Sequence, residues 1–266
     1  MGYEFGNSKL INGVAWGVVI DNKHPKGAYM VKCKLPWIKS SAAGDDEDFV
    51  TTWVRVCSPM AGGGRGFYCL PEKDDEVLLA FVHGSVREPV VIGSAWNDTD
   101  KTPHGDAAPA DSEDPMGNKL GIADAATDTT DDKNNARMMI SRAGSVLLFD
   151  DTEGKEKITI KTPKGSTLNL NDEAEVLAFY DHSSEVYMVL DKKNKKITIE
   201  SVEGDIDIFC KKGTLNIEAK FITVYSEKDT DFLADGAWTQ ESAKTMDLTA
   251  GGTMTLIGGP KIDLNP

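Results

Sequence analysis

From residue 157 to the C-terminus, short apolar-polar-apolar units recur at a nearly constant spacing. Ile197/Ile199, Ile206/Ile208 and Leu215/Ile217 follow one another every nine residues, and after Ile222/Val224 the step shortens to eight. The shorter step runs through Thr230/Phe232, Trp238/Gln240, Met246/Leu248, Met254/Leu256 and Ile262/Leu264. Alternation of this kind marks a strand with one buried face. A fixed short period in strands marks a solenoid, whose units bury a face only by stacking. One chain needs a coil of roughly twenty residues or more to enclose a core of its own. A step of eight or nine, with two inward positions, is too short. The core is therefore expected to be shared by three chains winding about one axis, in an intertwined triple-stranded β-helix, or β-prism. Ile197, Ile199, Ile206, Ile208, Leu215 and Ile217 are the expected trimer core. Such winding also removes free strand edges along the shaft. A flat meander would instead show hairpin turns, which are scarce after Lys196.

The remainder divides into three parts. Residues 1–13 are a short lead-in carrying Tyr3, Phe5 and Leu10, read either as a frayed terminus or as a strip that docks a partner. Residues 14–97 contain five apolar runs, at 14–20, 29–35, 52–57, 76–81 and 90–94. Turn chemistry separates them: His24-Pro-Lys-Gly27, the stretch 40–48, the glycine-rich stretch 61–66, and 83–89. Five short strands in this length fit a small closed barrel, of the OB or the SH3-like type. Residues 98–136 form an acidic linker poor in apolar residues, expected to be irregular. Met116, Leu120 and Ile122 offer the means for part of it to lie along the barrel or shaft, disorder being the alternative. Residues 137–266 are the expected shaft. The fold class is thus all-β, a barrel followed by a trimeric β-helix.

Charge and motifs narrow the function. The 266 residues hold 43 acidic and 29 basic side chains, a formal charge of −14. Such a surface repels phosphate backbones and argues against nucleic-acid binding. No apolar run approaches the ~18 residues of a membrane-spanning helix, and no signal peptide is visible. Cys33, Cys57, Cys69 and Cys210 lack metal-ligand spacing and lie in apolar runs, so they read as small buried thiols of a reducing compartment. Asp150, Asp151 and Glu153 precede Gly154 and read as turn chemistry, and 45–48 as a solvated acidic loop. Gly62 to Gly66 lacks the Lys-Ser/Thr of a phosphate cradle. No catalytic residue, cofactor site or metal site is expected, and the chain is read as not an enzyme.

Several strings carry a resemblance. They are Trp53-Val-Arg-Val56, Pro59 to Phe67, Leu70-Pro-Glu72, Asp75 to Phe81, and His83 to Asn97 with its Arg87-Glu-Pro-Val-Val-Ile-Gly-Ser-Ala-Trp96 core. In combination they resemble the OB domain of the VgrG and phage baseplate V family, the central spikes of contractile injection systems. Pro25-Lys-Gly27 with Val31 to Trp37 resembles the family's first hairpin, and Arg142 to Ile158 its lead into the β-helix. His24-Pro25 stands where the family has Asp-Pro, and Ala28-Tyr29 where it has Gly-Arg.

The resemblance implies a structural spike: a trimeric needle, assembled in the cytoplasm and then part of a phage-like tail or injection particle. It helps puncture the target envelope and meets the target membrane only on firing. VgrG proteins carry a large hub region ahead of the OB domain, against thirteen residues here, so a separate baseplate hub protein is expected, with Tyr3, Phe5 and Leu10 as its interface. No His-x-His motif stands near the C-terminus to hold a metal apex. Gly258, Gly259, Pro260, Ile262, Leu264 and Pro266 are then expected to receive a small conical tip protein of the PAAR type. The alternative reading is a trimeric glycan-binding or glycan-cleaving tailspike.

Overall fold

The structure, a computed structural model, describes residues 10–39, 48–103, 112–120, 122, 133–181, 183 and 185–259. The chain divides into two compact units, residues 1–207 and 208–266.

The first unit opens with the barrel. β1 (Val14–Asp21) and β2 (Met30–Lys39) form a hairpin whose turn closes through Gly27 N–H donating to His24 O at 2.9 Å, with Gly27 at φ 66°. Then come β3 (Asp48–Val50), β4 (Val54–Val56), the two-residue strands β5 (Ala61–Gly62) and β6 (Arg65–Gly66), β7 (Glu76–Phe81) and β8 (Pro89–Ser94). β1 pairs with both β2 and β7, so β1, β2, β4, β8 and β7 close into a five-stranded barrel with β3 added beside β2. β4 and β8 run parallel and every other pair antiparallel. That order is the Greek-key closure of an OB barrel, and it decides between the two barrel types.

The core follows from the alternation. Val31, Cys33 and Leu35 on β2, and Val77, Leu79 and Phe81 on β7, all turn inward, joined by Val19, Val54 and Val91. Gly17 lies where the barrel wall is tightest: a Cβ there would stand 2.8 Å from Leu79 Cδ1 and 2.9 Å from Leu35 Cδ2.

The expectation of four buried thiols fails. Only Cys33 is a buried thiol; Cys57, Cys69 and Cys210 are exposed in the chain. The first two flank the β5–β6 arm rather than occupying core positions of a strand. The glycines of the β5–β6 arm return the chain, with Phe67 N–H donating to Met60 O at 2.9 Å, and the Phe67 ring stands in solvent.

Residues 136–201 form a seven-stranded antiparallel meander. Its strands are β9 (Ala136–Ile140), β10 (Val146–Asp150), β11 (Lys157–Lys161), β12 (Thr167–Asn171), β13 (Val176–Tyr180), β14 (Val186–Asp191) and β15 (Lys196–Ser201), each paired with its sequence neighbours. Tight hairpins join them, three with glycine at positive φ: Gly144, Gly154 and Gly165. The intertwined shaft expected from residue 137 therefore does not begin there. Up to Ser201 the strands hydrogen-bond within their own chain.

Beyond Ser201 the pattern changes. Bends recur at 202–204, 211–213, 220, 227–228, 235–236, 243–244, 251–252 and 259, separated by extended stretches. This is the eight-to-nine-residue rhythm of the sequence, now seen as corners. Among the described residues 202–259 no strand pairs with another, and every one is exposed in the single chain.

Candidate functional site: an assembly surface

The meander has two unlike faces. Cross-strand register places Leu147, Phe149, Ile158, Ile160, Leu168, Leu170, Leu177, Phe179, Met188, Leu190, Ile197 and Ile199 in two parallel columns on one face. Among the described residues none of these side chains joins a buried core cluster. Ile160 is 47% exposed, Phe179 46% and Ile197 66%. An uninterrupted apolar patch spanning six strands is far beyond the scattered hydrophobes of a monomer surface.

The opposite face is the polar one, yet it is the one the chain covers. It carries Val146, Leu148, Ala178 and Val189 among Asp150, Lys157, Thr159, Asn169, Asn171 and Asp191, all buried. Leu120 and Ile122 of the linker pack into this face with no residual exposure. The linker is anchored beside it by Lys161 Nζ donating to Ser112 Oγ at 2.9 Å. Asp114 closes the preceding turn by accepting from the Met116 and Asn118 amides at 2.9 and 2.8 Å. The linker thus lies along the sheet through Leu120 and Ile122, while Met116 points to solvent. Inside, Asn169 donates to Thr159 Oγ1 at 2.8 Å, and Lys157 reaches Glu173 at 3.6 Å.

The hairpin turns are fixed by their own acids. Asp181 accepts from the Ser183 hydroxyl and from the Ser183, Glu185 and Val186 amides, which hold its carboxyl down at about 2. Asp191 is lowered by hydrogen bonds from the Asn194 side chain and amide. Asp150 accepts from Thr152 N–H and Oγ1 within the turn, while Asp151 pairs with Arg137 and Glu153 lies 3.5 Å from Lys133. Among the described residues no group of three or more His, Cys, Asp or Glu is placed to hold a metal ion.

The residues expected to form the trimer core fall in two sets. Ile197 and Ile199 stand at the end of the open apolar face. Ile206, Ile208, Leu215 and Ile217 lie on the unpaired extended stretches, Ile208 and Ile217 each 71% exposed. Sequence reasoning did not assign the open-face residues between Leu147 and Leu190, although their strict alternation was the available signal. Leu10, of the expected hub interface, is half exposed and pairs with Ser85, and the next residue, Ile11, enters the barrel core. Tyr3 and Phe5 lie outside the described residues. At the other end Gly258 and Gly259 are exposed, and Pro260, Ile262, Leu264 and Pro266 lie outside the described residues.

Comparison with known proteins bears on the barrel. Residues 15–96 match the family model of the type VI secretion system/phage-baseplate injector OB domain, the stretch that closes from β1 to the end of β8. The barrel belongs to the VgrG and phage baseplate V family. Over 74 residues the chain is 30% identical to the type VI secretion system spike protein VgrG2a of Pseudomonas aeruginosa, covering 28% of this chain and 8% of that protein. It is 28% identical over the same length to the spike protein VgrG3 of Vibrio cholerae, covering 7% of it. The actin cross-linking toxin VgrG1 of Vibrio cholerae is 30% identical over 74 residues, 6% of its length. The chain thus spans under a tenth of each of these VgrG relatives, and the family-model match lies within the OB barrel.

Proposed function

We propose that three copies of this chain form the central spike of a contractile injection system or phage-like tail, with the VgrG-type barrels at its base and residues 202–266 as an intertwined needle. The observation that carries this reading is the meander's open apolar face. Two columns of Leu, Ile, Phe and Met cannot remain in water, and among the described residues Leu120 and Ile122 cover the other face instead. Three such faces turned toward a common axis would make one dry core. The extended stretches after Ser201 point the same way. Their backbone donors and acceptors find no ladder within the described chain, and such groups in native proteins are paired or hydrated. Pairing between chains would satisfy them and leave no free edge.

A needle in which no chain can leave alone resists unfolding, because release requires all three to come apart. This is the property needed to pass axial force from a contracting sheath to a target envelope. In this reading the barrel end sits on a hub, with the lead-in through Leu10 as its contact. The Gly258–Pro266 end carries a tip protein of the PAAR type. Both partners are taken from the family resemblance. Native mass spectrometry tests the trimer: the reading requires three times 28.8 kDa, and a monomer with an intact barrel would overturn it.

A further inference from the structure

The ends of the meander carry charge in a pattern that the trimer would use. The columns at one end run Ala136, Asp150, Lys157, Asn171, Val176, Asp191 and Lys196. From that end project three turns: 151–156 with Asp151, Glu153, Lys155 and Glu156; 172–175 with Asp172, Glu173 and Glu175; and 192–195 with Lys192, Lys193 and Lys195. Read along the stack of strands, their signs are negative, negative, positive. From the opposite end project 141–145 with Arg142, 162–166 with Lys164, and 181–185 with Asp181 and Glu185. Their signs are positive, positive, negative.

A threefold ring needs a heterologous contact, in which one patch of each copy meets a different patch of the next. We propose that the three meanders close side to side through these turns, one end of each sheet against the other end of its neighbour. The proposal rests on the trimeric reading above and adds which surfaces meet and in which register. Each turn at one end lies one strand spacing, about 4.8 Å, from the level of its counterpart at the other. In that alignment all three levels pair opposite signs. Sliding one sheet by a hairpin sets 192–195 against Lys164, positive on positive, or 172–175 against Glu185, negative on negative. Like charges set against each other cost stability, so the register is selected electrostatically.

The shape agrees with the charge. An open concavity of about 820 Å³ lies at the first end, on the apolar face, between turns 172–175 and 192–195. Leu170, Leu177, Leu190 and Ile197 floor it, and Lys195 and Asp172 rim it. It is placed to receive a corner of the adjacent sheet. The levels are not equal in strength. Lys192 is held by Glu175 of its own chain at 3.1 Å, Arg142 by Glu72 of the barrel at 3.1 Å, and Glu173 by Lys157 at 3.6 Å. The pairing of Lys193 and Lys195 with Glu185 is therefore the chief contact.

Zero-length carbodiimide coupling of the purified full-length particle tests this, because it joins only amines and carboxylates already in contact. Turns 181–185 and 192–195 stand at opposite ends of β14, about 17 Å apart along the strand, so no coupling between them can form within one sheet. The expected products are peptides joining Lys193 or Lys195 to Glu185, and Lys164 to Glu173. In K193E/K195E the products at Glu185 are lost, and adding E185K, which exchanges the signs, restores coupling between the two turns. A trimer giving none of these products overturns the charged seam while leaving the trimer standing. A particle of single-chain mass overturns both.

Discussion

Replacing Ile160 with aspartate separates a shared core from a self-contained sheet. Ile160 stands mid-column on β11, opposite Leu147 and Leu168, and is 47% exposed in one chain. Fully burying an isoleucine contributes about 1.5–3 kcal/mol, so covering the remaining half contributes about 1 kcal/mol per copy. For a sheet standing alone the substitution would remove a half-exposed side chain and cost about that much. In the proposed trimer three carboxylates would meet near one axis without partners. Each would carry an uncompensated penalty of several kcal/mol, for a total of at least 10 kcal/mol per trimer. That exceeds what a marginally stable assembly can absorb. Sedimentation velocity on the purified protein should show loss of the trimer, while Ile160→Val keeps it. A soluble Ile160→Asp trimer with an unchanged melting temperature would refute the reasoning.

Four further outcomes follow from single contacts. Leu120→Ala should lower the stability of the meander by about 2–5 kcal/mol, since the side chain is fully enclosed, measured by denaturant titration. Gly17→Ala should destabilise the barrel by about 1–3 kcal/mol by forcing Leu79 and Leu35 aside, while the match of mutant and wild-type far-ultraviolet spectra shows the fold retained. Burial pushes the Cys33 thiol up to about 12, so iodoacetamide at neutral pH should alkylate Cys57 and Cys69 and spare Cys33 until the barrel is unfolded. Because its folded carboxyl titrates at about 2, below the ordinary value of 3.8, Asp181 stabilises the 181–185 turn above the unfolded value. That contribution is lost as pH falls from about 4 toward 2. Asp181→Asn should abolish this part of the pH dependence, read by hydrogen exchange at Glu185 and Val186.

Much of the barrel was legible because its strands are short and strictly alternating. Val31, Cys33 and Leu35 face inward as their period of two requires, and the turn at His24–Gly27 lies where its residues place it. β3 was missed because Asp48 follows an acidic, glycine-containing stretch that reads as loop, and only pairing with Lys34 and Leu35 makes Asp48–Val50 a strand. Leu120 and Ile122 could be picked out as apolar residues in a polar linker. Their burial against the sheet's polar face could not, because hydrophobic patterning alone assigns the more apolar face to the inside. The largest difference lies at residues 136–201. A hairpin strand and a pass of a shared helix have the same period of two, and the distinction rests on turns such as Arg142-Ala-Gly144 and Pro163-Lys-Gly165, which close a hairpin within four or five residues. After Ser201 such turns give way to evenly spaced bends, and there the repeat read from the sequence reappears as corners of the chain. The open apolar face of the meander was not legible, since alternation shows that a strand has two unlike faces but not which of them the chain itself covers.

The central claim is that the extended stretches beyond Ser201 find their hydrogen-bond partners in other copies. Amide hydrogen exchange of residues 206–256 in the assembled protein measures this directly, because no strand ladder within the described chain protects them. The account predicts exchange slowed by several orders of magnitude across the six-residue stretches between bends, protected together and released together on dissociation. Exchange at the rate of an unstructured chain, in protein whose barrel amides remain protected, would contradict it.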